Sequence, residues 1–364
     1  MLTLRPYQTK LVQQWHTSTS RAVVAQLATG GGKTAILAHV VESHRAPSVV
    51  MAHRQELVGQ LSQALASYGV EHDLICSAAT RRAINAAHII RFKRTFIRPG
   101  ARCRVASVDT LIRAKNLEQW AAQVTLGVVD EAHHCVRDNK WHTAMGLFTH
   151  PALRWLLPTA TPWRADGKGL GSWADGVADE MIEGPTPRWL IDEGYLTAYR
   201  VVCPASDLQV LRDVGASGDW SQSALKEASQ RSHIVGDVVA QYLAHARGRL
   251  GATFTTDVET ATDMAAAYRA AGVPAEVLTG ETPDAVRVDV LKRLERRELL
   301  QICVVDIISE GFDLPALEVI SMARPTASLA LYLQQFGRVL RPVFAPGMPL
   351  DTAAERIAAE AASP

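Results

Sequence analysis

The sequence predicts an α/β fold built as two domains in tandem, each a mostly parallel sheet flanked by helices. Three observations lead there. Short apolar, β-rich runs alternate with helix-like stretches along the first half, and the alternation restarts in the second. Apolarity within each run is continuous, as strands covered on both faces require. The 364 residues suffice for two cores of ordinary size.

In chain order, the first-half strands are expected at "AVVAQL" (22–27), "SVVMA" (48–52), "RVASV" (104–108), "LGVVD" (126–130) and "LRWLL" (153–157). From about residue 165 the texture turns to "ADGKGLGSWADG", and no strand is expected again until "YRVVC" (199–203). The second half repeats the pattern with "ATFTT" (252–256), "AEVLTG" (275–280), "ICVVD" (302–306) and "EVISMAR" (318–324), separated by helices such as "DVVAQYLAHA" and "ETATDMAAAYRAAG". The first domain is taken as residues 1–197, the second as 198–345, and residues 346–364 as a C-terminal tail. That tail reads as a helix without a glycine cap, so the chain is either truncated or ends in a frayed helix.

Composition excludes several classes. The chain is 48% apolar and 21% charged, with no apolar run near membrane-spanning length, and "MLTLRPYQTK" lacks the basic and apolar regions of a signal peptide. A cytoplasmic protein without membrane attachment is expected. Five scattered cysteines without a C-x-x-C pair give no zinc or disulfide framework and read as buried thiols. Net charge is only +1, but residues 81–104, "RRAINAAHIIRFKRTFIRPGARCR", carry seven arginines, one lysine and no carboxylate. Such a block can track a phosphate backbone, or it can be a solvated surface, since Ile89, Ile90, Phe92 and Phe96 interleave with the cations.

The chemistry-bearing residues begin at "QLATGGGKTAIL" (26–37). Glycines let backbone N–H groups approach a phosphate, Lys33 neutralises charge, and the Thr34 hydroxyl can ligate Mg²⁺. The strict G-x-x-x-x-G-K-[ST] pattern would want glycine where Leu27 stands, so the match is to a shorter form. A metal partner and a group to activate water are offered by Asp130 and Glu131, at the end of the apolar run "LGVV". Ligands of open α/β sheets bind at the carboxyl ends of the strands, which would bring Asp130 beside the glycine loop. His133 and His134 have no evident third ligand and are not read as a metal site.

With these residues in view, the chain resembles a superfamily 2 helicase of the DEAD/DEAH-box kind. The ordered series is "LRPYQ" (4–8), "ATGGGKT" (28–34), "MAHRQEL" (51–57), "VASVDTL" (105–111), "DEAHH" (130–134), "TATP" (159–162), "SEGFDLP" (309–315) and "QQFGRVLR" (334–341). The finer texture is similar to bacterial and phage helicases of the RadD kind. The resemblance implies two RecA-like domains using ATP and Mg²⁺, with Thr34 and Asp130 at the metal. Arg5, Gln8, Thr29, Gly30, Gly31, Gly32, Lys33, Thr34, Gly311 and Asp313 would hold the nucleotide, Gln8 reading adenine and Asp313 the ribose. Lys33, Asp130, Glu131, Gln334, Arg338 and Arg341 would form the catalytic set, with Arg338 and Arg341 as arginine fingers. Three residues apart, these two arginines are expected on one face of a helix. Thr159 and Thr161 would couple the nucleotide site to the second domain.

His53, Arg54, Thr110, Thr256 and Ser309 match positions where the family touches nucleic acid, so backbone contact without sequence readout is expected. DNA, single-stranded or branched, is the expected track. A monomer is expected, with a partner protein as one source of specificity. The rivals are a duplex translocase or motor subunit, an RNA helicase, and, from a different class, a nucleotide-gated clamp on nucleic acid.

Overall fold

The computed structural model describes residues 3–53, 55–162, 169–203, 220, 234–305, 317–326 and 328–363. The chain divides into two compact units, Met1–Pro187 and Arg188–Pro364.

The first unit holds β1 (Ala22–Gln26), β2 (Ser48–Ala52), β3 (His72–Ile75), β4 (Cys103–Ser107), β5 (Leu126–Val129), β6 (Arg154–Thr159) and β7 (Glu180–Glu183). They form one parallel sheet in the order β3-β4-β2-β5-β6-β1-β7. Helices α1 (Pro6–Thr17), α2 (Lys33–Ser43), α3 (Gln55–Ser67), α4 (Ala78–Phe92), α5 (Val108–Arg113), α6 (Glu118–Ala121) and α7 (Lys140–Met145) cover it. The inner strands β2 and β5 are buried at every residue, which is why their sequences are unbroken apolar runs. The two strands absent from the expectation, β3 and β7, are the sheet's edges. An edge strand needs one buried face, so "HDLI" and "EMIE" keep polar residues that break the apolar signal.

All strands being parallel, their carboxyl ends share one edge. That edge carries the glycine loop after β1, His53 after β2, Ser77 after β3, Thr110 after β4, Asp130 after β5 and the TATP turn that ends β6. β5 does not neighbour β1, because β6 lies between them.

At the opposite end, buried polar groups clasp α3, β3 and α4. The Phe96 N–H donates to His88 Nδ1 (3.2 Å), so the His88 Nε2–H donates to Ser62 Oγ (3.1 Å). The Ser62 hydroxyl then donates to His72 Nε2 (2.6 Å), and the His72 Nδ1–H donates to the Val70 carbonyl (2.9 Å). Every ring nitrogen has a partner only while both rings are neutral. Burial lowers the pKa of the His72 ring, the bond to the Val70 carbonyl opposes it, His88 assists and Asp73 opposes, and the net fall is from 6.5 to about 4. Between those values the unfolded chain binds the extra proton, so stability falls as pH drops from about 6.5 towards 4 and is flat above. The expected loss from His72 alone is about 3 kcal/mol. Urea midpoints of wild type and His72→Gln at pH 7.5 and 4.5 measure it. Equal pH-dependence in the two proteins would exclude His72 as the cause.

The second unit has β8 (Gly251–Phe254), β9 (Ala275–Leu278), β10 (Gln301–Val304) and β11 (Val319–Met322), parallel in the order β11-β8-β10-β9. Its described helices are α8 (Pro187–Asp192), at whose start the division falls, then α9 (Ile234–His245), α10 (Val258–Ala270), α11 (Asp284–Glu295), α12 (Leu329–Phe336) and α13 (Ala353–Ala361). "YRVVC" is not a strand: no ladder among the described residues includes it, and Tyr199, Val201 and Val202 are exposed. Its apolar content mimics a strand without burial on either side. The tail is helical, opened by a capping box of Thr352 and Glu355. Buried Arg356 fastens it, donating to the carbonyls of Glu193 (2.7 Å), Leu350 (2.9 Å) and Asp351 (2.9 Å) and lying 4.0 Å from the Tyr195 ring centre. Of the cysteines, Cys103, Cys135 and Cys303 are buried, Cys76 is half-buried, and Cys203 is exposed, contrary to expectation.

Candidate active site

α2 begins at Lys33 directly behind the glycine loop, with Gly32 as its N-cap and no side chain capping its first N–H groups. An uncapped helix start of this kind attracts an anion. Gly32 has φ 88°, and a Cβ there would fall 2.3 Å from Gln8 Nε2, so only glycine fits. At Gly31 a Cβ would meet Leu27 Cγ at 2.8 Å.

The loop is latched from α1. Tyr7 Oη (2.8 Å) and Gln8 Nε2 (3.0 Å) both donate to the Gly31 carbonyl, while Arg5 Nη1 donates to Tyr7 Oη at 3.1 Å. Gln8 Oε1 accepts from the Arg5 N–H at 2.8 Å. Both ends of the Gln8 amide thus have protein partners, one of them the glycine loop. Tyr7, which sequence reasoning passed over, shares that latch.

Across β6, Glu131 has φ 54°, a left-handed conformation that costs a non-glycine residue energy. Its N–H donates to Asp130 Oδ1 (3.1 Å), and the Asp130 N–H donates to the Met51 carbonyl (3.2 Å). The turn aims the Glu131 carboxylate back towards α2, with Oε1 3.9 Å from Lys33 Nζ and Oε2 3.5 Å from His133 Nδ1. These are ion-pair rather than hydrogen-bond distances, and Oε2 has no hydrogen-bond partner. Burial opposes ionisation of this carboxyl, but the Lys33 ammonium, followed by the His133 and His134 rings, holds it well below the usual range. It is a carboxylate at neutral pH.

His133 Nδ1 also lies 3.4 Å from Thr159 Oγ1, whose hydroxyl donates to the Thr161 carbonyl at 3.1 Å. Lys33, Glu131, His133 and Thr159 therefore form one network. Its existence follows from strand order: Thr159 ends the strand that separates β1 from β5.

A polar surface occupies the same edge, over β2, β3 and β4. Gln55 Nε2 donates to Ser107 Oγ (3.1 Å) and to Thr110 Oγ1 (3.4 Å), and the Ser77 N–H donates to Gln55 Oε1 (3.4 Å). His53 stands half-buried beside it. Gln55 lies within the "MAHRQEL" stretch but was not singled out there, where only His53 and Arg54 were named; Ser77 was missed with β3. The basic block divides. Arg81 pairs with Asp73 at 2.9 Å near the start of α4, but the strand-like residues 96–98 return to the amino end of β3. The helix between spans about 22 Å, so Arg91, Lys93, Arg94, Arg98 and Arg102 lie towards the edge opposite the site. Several are engaged there, Arg98 with Glu71, Arg102 with carbonyls ending α2, and Arg94 over Phe96. The structure favours the solvated-surface reading for that stretch.

In the second unit, Thr256 is 1% exposed and its hydroxyl donates to Asp257 Oδ2 (2.8 Å), the cap of α10. Gln334 lies on α12. Arg338 and Arg341 do not share a helical face. α12 ends at Phe336, Gly337 caps it, and Arg338 and Arg341 follow in a turn and an irregular segment before Pro342. Proline steers its predecessor away from helical backbone, which ends the helix by Arg341. Arg54, Ser309, Gly311 and Asp313 lie outside the described residues.

Comparison with known proteins fits this arrangement. Residues 1–164 match the family "Type III restriction enzyme, res subunit", and residues 235–343 match "Helicase conserved C-terminal domain". The chain belongs to the superfamily 2 helicases. A 51.5 kDa protein of a Lactococcus phage is 29% identical over 86% of this helicase and 61% of its own length. A Schizosaccharomyces pombe protein named as a mitochondrial ATP-dependent helicase, irc3, is 26% identical over 93% of this chain and 55% of its own. The chain thus spans little more than half the length of these relatives. The helicase domain of Pyrococcus furiosus Hef superposes with TM-score 0.54 at 14% identity, covering 92% of each chain. Saccharomyces cerevisiae Dbp5, in a complex described as bound to RNA and ADP BeF3, gives 0.53 at 13% identity, covering 92% of this chain and 84% of Dbp5. These likenesses establish the tandem RecA-like fold. Among the described residues, no helix is long and apolar enough to cross a membrane.

Proposed function

We propose that this chain is an ATP-dependent nucleic-acid motor acting on DNA, in which hydrolysis at the glycine loop drives movement along a strand. The observation that carries the reading is the Lys33–Glu131–His133–Thr159 network beneath an uncapped helix start. Backbone N–H groups and Lys33 bind the triphosphate, Glu131 accepts the proton of the attacking water, and Arg338 and Arg341 supply guanidinium charge to the transition state. The Thr34 hydroxyl and Asp130 carboxylate are hard oxygen donors of the kind Mg²⁺ takes and would hold it. Bound there, the ion offsets phosphate charge. His53, Arg54 and Thr110, with Gln55 and Ser77, would receive the polynucleotide backbone, and Thr256 would meet it only through its main chain. Gly311, Asp313 and Ser309 keep the ribose and backbone roles that the resemblance implies. The chain works in the cytoplasm as a monomer, with a partner protein supplying substrate choice.

The match to a restriction-enzyme subunit favours a second reading, a translocase that moves on duplex DNA without separating strands. ATPase rates with single-stranded, duplex and branched DNA and with RNA, beside a strand-displacement assay, test both. Stimulation by DNA with displacement is expected. Duplex stimulation without displacement selects the translocase, and no stimulation by any polynucleotide excludes a motor.

A further inference from the structure

Three rings connect the polynucleotide-facing edge to the hydrolytic turn, and neither the motifs nor the proposed chemistry uses them as a unit. His53 follows β2, His134 ends the short turn that starts at Glu131, and Trp141 lies on α7. The His134 ring is stacked on Trp141 at 5.8 Å with planes 5° apart and on His53 at 5.0 Å and 19°, while His53 lies 6.2 Å from Trp141. Trp141 is 2% exposed and packed in the core of the first unit, so it is a fixed backstop. His53 and His134 are half-buried, and His134 lies against both of the other rings.

His134 in turn touches the network. Its ring centre is 4.2 Å from that of His133, whose Nδ1 is 3.5 Å from Glu131 Oε2. The backbone offers something to switch, because Glu131 is held at φ 54°, and the His134 N–H closes that turn on the Glu131 carbonyl at 3.3 Å. A strained turn of this kind persists only while its surroundings hold it.

We infer that His134 is a positioning residue that transmits polynucleotide binding at the His53 loop to the orientation of Glu131, with Trp141 as its support. The inference rests on the motor reading above. A strand engaging His53 at the end of β2 shifts its ring against His134, and His134 moves with the turn that carries His133 and Glu131. Coupling free energies between linked sites correspond to factors of about 5 to 150.

The test compares wild type, His134→Ala and His134→Phe by ATPase kcat without DNA and at saturating single-stranded oligo(dT), with oligo(dT) affinity from fluorescence anisotropy. In His134→Ala the ratio of stimulated to unstimulated kcat is expected to fall at least about 5-fold, while oligo(dT) still binds to saturation. His134→Phe, which keeps a stackable ring, is expected to restore most of that ratio. Full stimulation in His134→Ala overturns the inference, as does a loss that higher DNA concentration cures, or a phenylalanine variant no better than alanine. Wild type without stimulation by any polynucleotide overturns the motor reading itself, so the two failures are distinguishable.

Discussion

Replacing Glu131 with glutamine is expected to lower the ATPase kcat by about 10²- to 10⁴-fold while ATP still binds. The amide keeps the shape of the side chain but cannot take a proton from water. Its effect on binding has the opposite sign to its effect on turnover, because Glu131 now holds Lys33 at 3.9 Å. A neutral side chain leaves the ammonium wholly to the phosphates, so affinity for a fluorescent ATP analogue should be equal to wild type or higher. Lys33→Ala is the contrasting variant: it removes the cation that faces the phosphates and should lose binding and turnover together. The His133 ring, 3.5 Å from Glu131 and 3.4 Å from Thr159, adds a constraint. It positions the carboxylate through a contact that glutamine retains in outline, so a fall in kcat in the glutamine variant reports lost proton transfer rather than a collapsed site. Near-normal hydrolysis in Glu131→Gln would remove it from the role of base.

Arg338→Ala is expected to cut hydrolysis by about 10³- to 10⁵-fold, or roughly 4 to 7 kcal/mol of barrier, with ATP affinity nearly intact. The residue lies in a turn just past the α12 cap, its N–H donating to the Gln335 carbonyl at 3.1 Å. Backbone of that kind is re-aimed more easily than a helical residue, which suits a group engaged only in the transition state. Arg338→Lys keeps the charge but not the planar fork and should fall between wild type and alanine. Single-turnover hydrolysis with saturating oligo(dT) separates chemistry from binding. If alanine at position 338 leaves the single-turnover rate within a few-fold of wild type, the guanidinium takes no part in the chemistry.

Much of the site was legible because its parts are short and chemically specific. A glycine loop behind an apolar strand, with lysine and threonine at the start of a helix, announces a phosphate cradle. In the structure Gly30 and Gly32 have positive φ angles and α2 starts without a side-chain cap, which supports that local reading. Less legible were residues whose work depends on a distant neighbour. Gln8 was read for adenine, and its bond to the Gly31 carbonyl, a link to the glycine loop, was not foreseen. His133 and His134 were set aside as metal ligands with no other role read for them, and the fold puts one beside a carboxylate and the other in a ring stack. The arginines of "QQFGRVLR" were placed on a helical face from spacing alone, whereas the helix ends at Phe336, before either of them.

By itself the sequence determined the two-domain α/β architecture, the nine strands that its apolar runs marked correctly, and the places of the glycine-rich and acidic loops at strand ends. These are recorded locally, in runs of buried residues and in side chains that suit one ligand chemistry. Only the tertiary structure decided that β6 stands between β1 and β5, that β3 and β7 close the sheet's edges, and that the dense end of the basic block faces away from the site. Strand order and the edge a cation reaches depend on pairings between residues far apart in the chain. Their energies leave no periodicity in the sequence, and they exist only once the sheet is assembled.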